Sequence, residues 1–365
     1  MAYRKIRIGI NGFGRIGRSV ARLNALSKRF DLVHINDVNS HVENMAYLFK
    51  YDSIYGKFPG EVTNDKEAIT IDGHTASYSS FRSISEVDWK RHGTDIVIDA
   101  SGVSENVIDA RELIESHKVE KVIVTHSSEF VDREVILGIN DYDLCPSDNI
   151  VSNSICDANA IAHAMKWLDE AFGVEGGSVT TLHPWLSYQN LVDGPAISQS
   201  NPGVVWKDFA LGRASIGSLI PKDTTAMKAT EKVLPQLRGK VMSMSYRIPT
   251  AVVASSDIVL KAKSSPTTKD VVALLEEKAQ SSPYVRLNRE SLVSCDYERE
   301  EASCIIDLQW VKAQNGLIKL ILWYDNEWGY SARVLDLAKK LSSLPTKENL
   351  STESRELAHA ENGVY

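Results

Sequence analysis

The chain has 365 residues, 43% of them hydrophobic, and a formal net charge of −7. That length supports two domains, each with its own core. The negative balance argues against a nucleic-acid or membrane-surface role, and no apolar run reaches the roughly 20 residues of a membrane span. The N-terminal MAYRKIRIGING runs directly into a strand pattern, so no secretory signal is expected. The four cysteines, Cys145, Cys156, Cys295 and Cys304, match neither a disulfide framework nor a zinc-site spacing. These features read as a cytoplasmic, reduced, soluble protein with no metal.

IRIGIN (6–11) reads as a short buried strand, and GFGRIGRSVARLNALSKRF as a loop entering a helix with Ile16, Val20, Leu23 and Leu26 on its apolar side. DLVHIND is the next strand and HVENMAYLFKYD a helix. EAITIDGHTASYS is a hairpin turning at Asp72-Gly73. DIVIDASG, ENVIDARELIESHK and VEKVIVTHSS then read as strand, helix and strand. The repeated alternation predicts an α/β unit with a Rossmann-type, doubly wound parallel sheet over 1–154. Beyond it, one long helix is followed by GSVTTLHP, KVMSMSYRIP, SDIVLKAK, SCIIDLQW and LIKLILWYD, interrupted by the helix TKDVVALLEEKAQ. This predicts an α+β domain over 155–322 with a largely antiparallel sheet. A C-terminal helix (323–341) returns to the first domain, and 342–365 forms a loosely held polar tail.

Gly12-Phe13-Gly14-Arg15-Ile16-Gly17 is a GxGxxG run placed between a predicted strand and a predicted helix, and Asp37 ends the next strand. The glycines allow a tight turn and close backbone approach. The helix N-terminus attracts a pyrophosphate, and the carboxylate binds ribose hydroxyls while repelling a 2′-phosphate. Asn11, Gly12, Phe13, Gly14, Arg15, Ile16, Gly17 and Asp37 are therefore candidate NAD-binding residues.

Cys156 lies two residues after Ser154, read as a helix N-cap, and so in a first turn where the helix dipole favours thiolate. A reactive thiol needs a base, and His183, at the end of the strand TTLHP, is the leading candidate. The bland alternative is an inert buried cysteine and a structural histidine. Asp157, directly after the cysteine, reads as the partner of Ser154 in a capping box; it also raises the thiol pKa by like-charge repulsion.

At these residues the chain resembles the phosphorylating glyceraldehyde-3-phosphate dehydrogenases and the related erythrose-4-phosphate dehydrogenases. INGFGRIGR, YDSIYGKFPG, GIND, VSNSIC, TTLH, LVDGP, KVLPQLRGK, RIPT and WYDNEWGYSARV carry the resemblance in order, from about residue 5 to 340. It implies that Cys156 attacks an aldehyde and that His183 activates the thiol and takes the hemithioacetal proton. Hydride then passes to NAD, leaving a thioester. It further implies that the Cys156 amide helps hold the oxyanion, that Asn326 holds the nicotinamide carboxamide, and that the protein is a homotetramer in which the Pro195 loop reaches a neighbour's adenosine site.

The departures cluster at substrate binding. The family run A-S-C-T-T-N is here Ser154-Ile155-Cys156-Asp157-Ala158-Asn159, and two phosphate-binding threonines become Leu186 and Tyr188. Of S-S-T-G only Thr224 remains, while Arg213 and Arg247 match anion-binding arginines. AISQSNPGVV (196–205) carries extra residues. Asp157, Leu186, Tyr188, Arg213, Thr224 and Arg247 are thus the candidate substrate-binding residues. The expected function is NAD-dependent oxidation of a small aldehyde with altered substrate choice and hydrolytic release. Ordinary phosphorylating activity and a non-catalytic NAD-binding scaffold are the alternatives.

Overall fold

The computed structural model describes residues 4–345. The first part of the chain forms β1 (Arg7–Asn11), α1 (Arg15–Ser27), β2 (Asp31–Asn36), α2 (Val42–Lys50), the short pair β3 (Tyr51–Asp52) and β4 (Gly56–Lys57), β5 (Val62–Asn64), β6 (Ala68–Ile71), β7 (His74–Ser79), β8 (Ile96–Asp99), α3 (Ser104–Glu115), β9 (Lys121–Val124), β10 (Arg133–Glu134) and β11 (Ile150–Ser152). Their sheet runs β10-β11-β9-β8-β1-β2-β7-β6-β5. It is parallel from β10 to β7 and antiparallel over β7-β6-β5. β1 buries Ile8 and Ile10 and β8 opens on the buried Ile96-Val97-Ile98 because both faces of the sheet are covered. The β6–β7 hairpin turns at Asp72 and Gly73 with φ of 47° and 79°, the left-handed pair that a two-residue hairpin turn requires.

The second part forms α4 (Cys156–Phe172), β12 (Val174–Pro184), β13 (Ile220–Lys222), α5 (Ala226–Val233), β14 (Val241–Ile248), β15 (Ala254–Ala262), α6 (Thr268–Gln280), β16 (Val285–Asn288), β17 (Cys304–Asp307), β18 (Lys312–Gln314), β19 (Leu317–Tyr324) and α7 (Trp328–Ser342). The sheet order is β13-β14-β12-β15-β19-β17-β16, with β18 on β19. It is largely antiparallel, with parallel pairs only at β12–β14 and β16–β17. Helix α4 lies on this sheet. Its buried Ala158, Ala160, Ala162 and Ala164 permit close approach, and the fully buried Ile161 and Leu168 contribute about 1.5–3 kcal/mol each. Helix α7 packs back onto α1.

Three local readings need correction or completion. α5 interrupts the second sheet in addition to α6; its buried Ala226, Met227, Ala229, Thr230 and Val233 have helical spacing, but the stripe is short and mostly small or polar, so it gives little hydrophobic signal. The insertion folds as a narrow turn-back: Ile197 bridges Val205, Ser198 N donates to Val204 O, and Trp206 N donates to Ala196 O. The tail expected after the last helix falls, from residue 346 onward, outside the described residues.

Candidate active site

The turn between β1 and α1 is built around its glycines. Gly12 has φ of 88°, and a side chain there would meet the Ser101 backbone nitrogen at 2.5 Å. A Cβ on Gly17 would lie 2.1 Å from Gly12 O. Nothing stands within 4 Å of a Cβ built on Gly14, so the free N–H groups at the start of α1 face open space of the kind a pyrophosphate fills. Asp37 accepts from Phe13 N at 2.6 Å and from Asn39 N at 2.9 Å, which fixes its carboxylate beside this loop. Asn11 and Phe13 turn their side chains inward: Asn11 bonds Asp99 and Asn36, and Phe13 stacks on Phe49. Arg15 pairs with Asp52 and Glu327, tying the glycine loop to the start of α7.

Gly14, Arg15, Ile16, Cys156, His183, Leu186 and Asn326 line one cleft of about 730 Å³. Asn326 is buried, and its Oδ1 has no hydrogen-bond partner in the protein. A carboxamide NH₂ would satisfy that oxygen. Open space at Gly14 and an orphan acceptor at Asn326, both on the same cleft, fit NAD.

Cys156 is the first residue of α4, and the chain enters it through a strained step. Ser154 is fully buried with φ of 55°, in the left-handed region. It is held there by its Oγ donating to Glu134 at 2.6 Å, its N donating to Ser152 Oγ, and its O accepting from Tyr330. Strain of this kind persists only where surrounding bonds over-determine it. Ser154 is therefore not the helix cap read from the sequence. The cap is Ile155, which has no side-chain capping bond, and the Ser154–Asp157 capping box does not form.

Asp157 instead faces the thiol. Cys156 Sγ is 3.7 Å from Asp157 Oδ1 and 3.7 Å from His183 Nε2. Tyr324 OH, at the end of β19, donates to Asp157 Oδ1 at 2.7 Å. His183 Nδ1 lies 2.8 Å from Pro184 O; as the donor in that bond, it leaves the Nε2 lone pair toward sulfur. Burial, reinforced by Asp157, pushes the Cys156 thiol well above its usual range. Burial, then Arg247, pulls His183 down to about 4. The resting pair is thus neutral thiol and neutral imidazole, and the helix dipole does not prevail.

The remaining expected residues stand behind this pair. Arg247 is the register partner of His183 on β14, and its Nη2 donates to Tyr188 OH at 3.2 Å. Tyr188 rests on Trp206 with ring centroids 5.4 Å apart. Thr224 Oγ1 accepts from Ala226 N at the start of α5. Arg213 points away to an exposed pair with Asp193 at 2.9 Å. Gln199 of the insertion reaches the cleft and donates to Ser187 Oγ. Tyr324 and Glu327 were not singled out by sequence reasoning; only the fold brings them to Asp157 and Arg15.

Two family descriptions match the chain: glyceraldehyde 3-phosphate dehydrogenase, NAD binding domain, over residues 6–107, and glyceraldehyde 3-phosphate dehydrogenase, C-terminal domain, over residues 155–326. The chain belongs to the glyceraldehyde-3-phosphate dehydrogenase family. It is similar to the cytosolic glyceraldehyde-3-phosphate dehydrogenase of Chlamydomonas reinhardtii, 37% identical over 338 residues that cover 92% of this chain and 96% of that one. It is also similar to the enzyme of the same name from Wickerhamomyces ciferrii, 37% identical over 343 residues (93% and 99%). Glyceraldehyde-3-phosphate dehydrogenase 2 of Saccharomyces cerevisiae is 34% identical over 340 residues (92% and 99%). Membership makes the protein an NAD-dependent dehydrogenase. Among the described residues, no helix is long and apolar enough to cross a membrane.

Proposed function

We propose that the protein oxidises a small aldehyde through a Cys156 thioester, with a substrate other than that of its phosphorylating relatives and with release by water. The observation that carries this reading is the Asp157 carboxylate 3.7 Å from Sγ, where the family has a neutral hydroxyl. Inorganic phosphate approaching the thioester would be repelled by that charge, by up to about 4 kcal/mol at ~4 Å and an effective dielectric of ~20 and by less as the separation grows; water would not. The other anion grips are weakened in parallel: Arg247 is engaged by Tyr188, Arg213 by Asp193, and Ile155 and Leu186 put apolar surface on the cleft.

In this reading His183 Nε2 takes the thiol proton as sulfur adds to the carbonyl carbon. The oxyanion forms near the Cys156 amide, one of the first-turn N–H groups that the helix leaves free. The oxyanion, protonated to a hemithioacetal, returns its proton to His183 as the C–H hydride leaves. Bound NAD supplies the hydride acceptor. Water then adds to the thioester with His183 as base, the C–S bond breaks, and the acid and the thiol are restored.

A second reading, ordinary phosphorylating activity, is favoured by the relatives' names and by the cations Arg247 and Lys222 near His183. Matched pairs of phosphorylated and unphosphorylated aldehydes, compared by kcat/KM for NADH formation, separate the two. Preference for an unphosphorylated aldehyde supports the proposal; strong preference for glyceraldehyde 3-phosphate supports the relatives' activity. The reading keeps a division of the chain at 154/155, with 323–341 returning to the NAD-binding part. It also includes a cytoplasmic homotetramer, supported by the exposed Leu191, Val192, Phe209, Ile216 and Leu219 on one connecting segment.

A further inference from the structure

The corner that holds the reactive thiol also presents three metal-ligating atoms. Cys156 Sγ, a carboxylate oxygen of Asp157 and a ring nitrogen of His183 all lie within 4.8 Å of one another. Sulfur is 3.7 Å from both Asp157 Oδ1 and His183 Nε2. A tetrahedral zinc, with Zn–S of about 2.3 Å and Zn–N or Zn–O of about 2.0–2.1 Å, places sulfur about 3.5 Å from each of the other ligands. Both sulfur distances therefore match the ion's geometry to a few tenths of an ångström, and the carboxylate-to-nitrogen pair, within 4.8 Å, closes toward about 3.3 Å on binding.

Two of the three ligands are already oriented by outer contacts, as zinc ligands are. Tyr324 OH donates to Asp157 at 2.7 Å, and the Nδ1 of His183 is occupied by Pro184 O at 2.8 Å, leaving Nε2 free. Cys156 and His183 line the cleft, so a fourth coordination position faces space open to water. Thiolate, imidazole and carboxylate together select a borderline-soft cation such as zinc over magnesium or calcium. Sequence spacing hides the set, because adjacent residues 156 and 157 supply two ligands and a separate strand the third.

We propose that Cys156, Asp157 and His183 form a three-ligand site for a zinc-class divalent cation, and that its occupation reversibly blocks the dehydrogenase. Binding breaks the S–H bond, forms an S–metal bond and releases the proton to solvent. The metal then holds the same sulfur and nitrogen that aldehyde oxidation uses. Asp157 is the deciding ligand, since the threonine of the family run would leave only a neutral hydroxyl.

Cobalt(II) titration of the full chain, without aldehyde or NAD, tests the site independently of any substrate. The background is Cys145→Ser with Cys295→Ser, which removes the two other cysteines with solvent exposure. One cobalt per chain is expected, with a thiolate charge-transfer band and intense tetrahedral bands that zinc abolishes. Asp157→Asn should weaken binding at least about ten-fold, and Tyr324→Phe should weaken it less. NAD binding by each variant reports that it is folded. In parallel, zinc should protect Cys156 of the wild-type chain from alkylation, with EDTA restoring the reaction. Unchanged affinity in Asp157→Asn, loss of the signal with the two background cysteines, or no protection of Cys156 would each overturn the proposal.

Discussion

Replacing Asp157 with threonine, the residue type at the matching family position, should make the active thiol easier to ionise. At 3.7 Å from sulfur and an effective dielectric of ~20, the carboxylate opposes thiolate by about 4 kcal/mol. Tyr324 donates to the same carboxylate, and Arg247 acts on the thiol with opposite sign, so part of that energy is recovered on its removal and the alkylation onset shifts to lower pH. The sign is fixed: Asp157 raises the thiol pKa, so its removal moves the onset of reactivity to lower pH. Iodoacetamide alkylation of Cys156, followed by peptide mass spectrometry across pH, measures it. NAD binding serves as the control for folding. An alkylation profile identical in the wild type and Asp157→Thr would refute the reasoning, because burial alone would then set the thiol.

Gly14→Ala should weaken NAD binding at least about ten-fold, or 1.4 kcal/mol, with little change in thermal stability, since the added methyl meets only open space; calorimetry and melting curves check both halves. Gly12→Ala should instead destabilise the fold, because its φ of 88° and its approach to Ser101 leave no room. Tyr188→Phe should release Arg247 Nη2 and lower KM for a phosphorylated aldehyde relative to its unphosphorylated match. The buried His34 and His163, both held down to about 3 by burial, are neutral when folded and take up protons on unfolding below their ordinary value near 6.5. Their stabilising contribution is present above pH 6.5 and is lost as pH falls below it, by on the order of 2 kcal/mol each at pH 5. Urea unfolding between pH 7 and 5 should show that slope, and His163→Gln should reduce it.

The dinucleotide loop was legible because its constraints are local: a strand, a turn that only glycine fits, and a helix start, all within a dozen residues. Cys156 and His183 were legible because each lies where an element begins or ends, and the fold brings such ends together at one end of the second sheet's central strands. The capping role read for Asp157 failed for a physical reason. A serine ahead of a helical run is usually its cap, but Ser154 is buried at positive φ and spends its hydroxyl on Glu134. That shift leaves Asp157 facing the thiol. Tyr324 gave no sequence signal, since 167 residues separate it from the carboxylate it orients. The contacts that engage Arg213 with Asp193 and Arg247 with Tyr188 were hidden for the same reason: an arginine's availability depends on contacts that spacing does not encode.

The most direct test of the central claim is NADH formation with the best aldehyde substrate as inorganic phosphate is varied from none to saturating, with the product analysed in ¹⁸O-labelled water. Steady turnover without phosphate, with label entering the free acid, is the expected result. Turnover only with phosphate, yielding an unlabelled acyl phosphate, would contradict the account and make Asp157 no barrier to phosphorolysis.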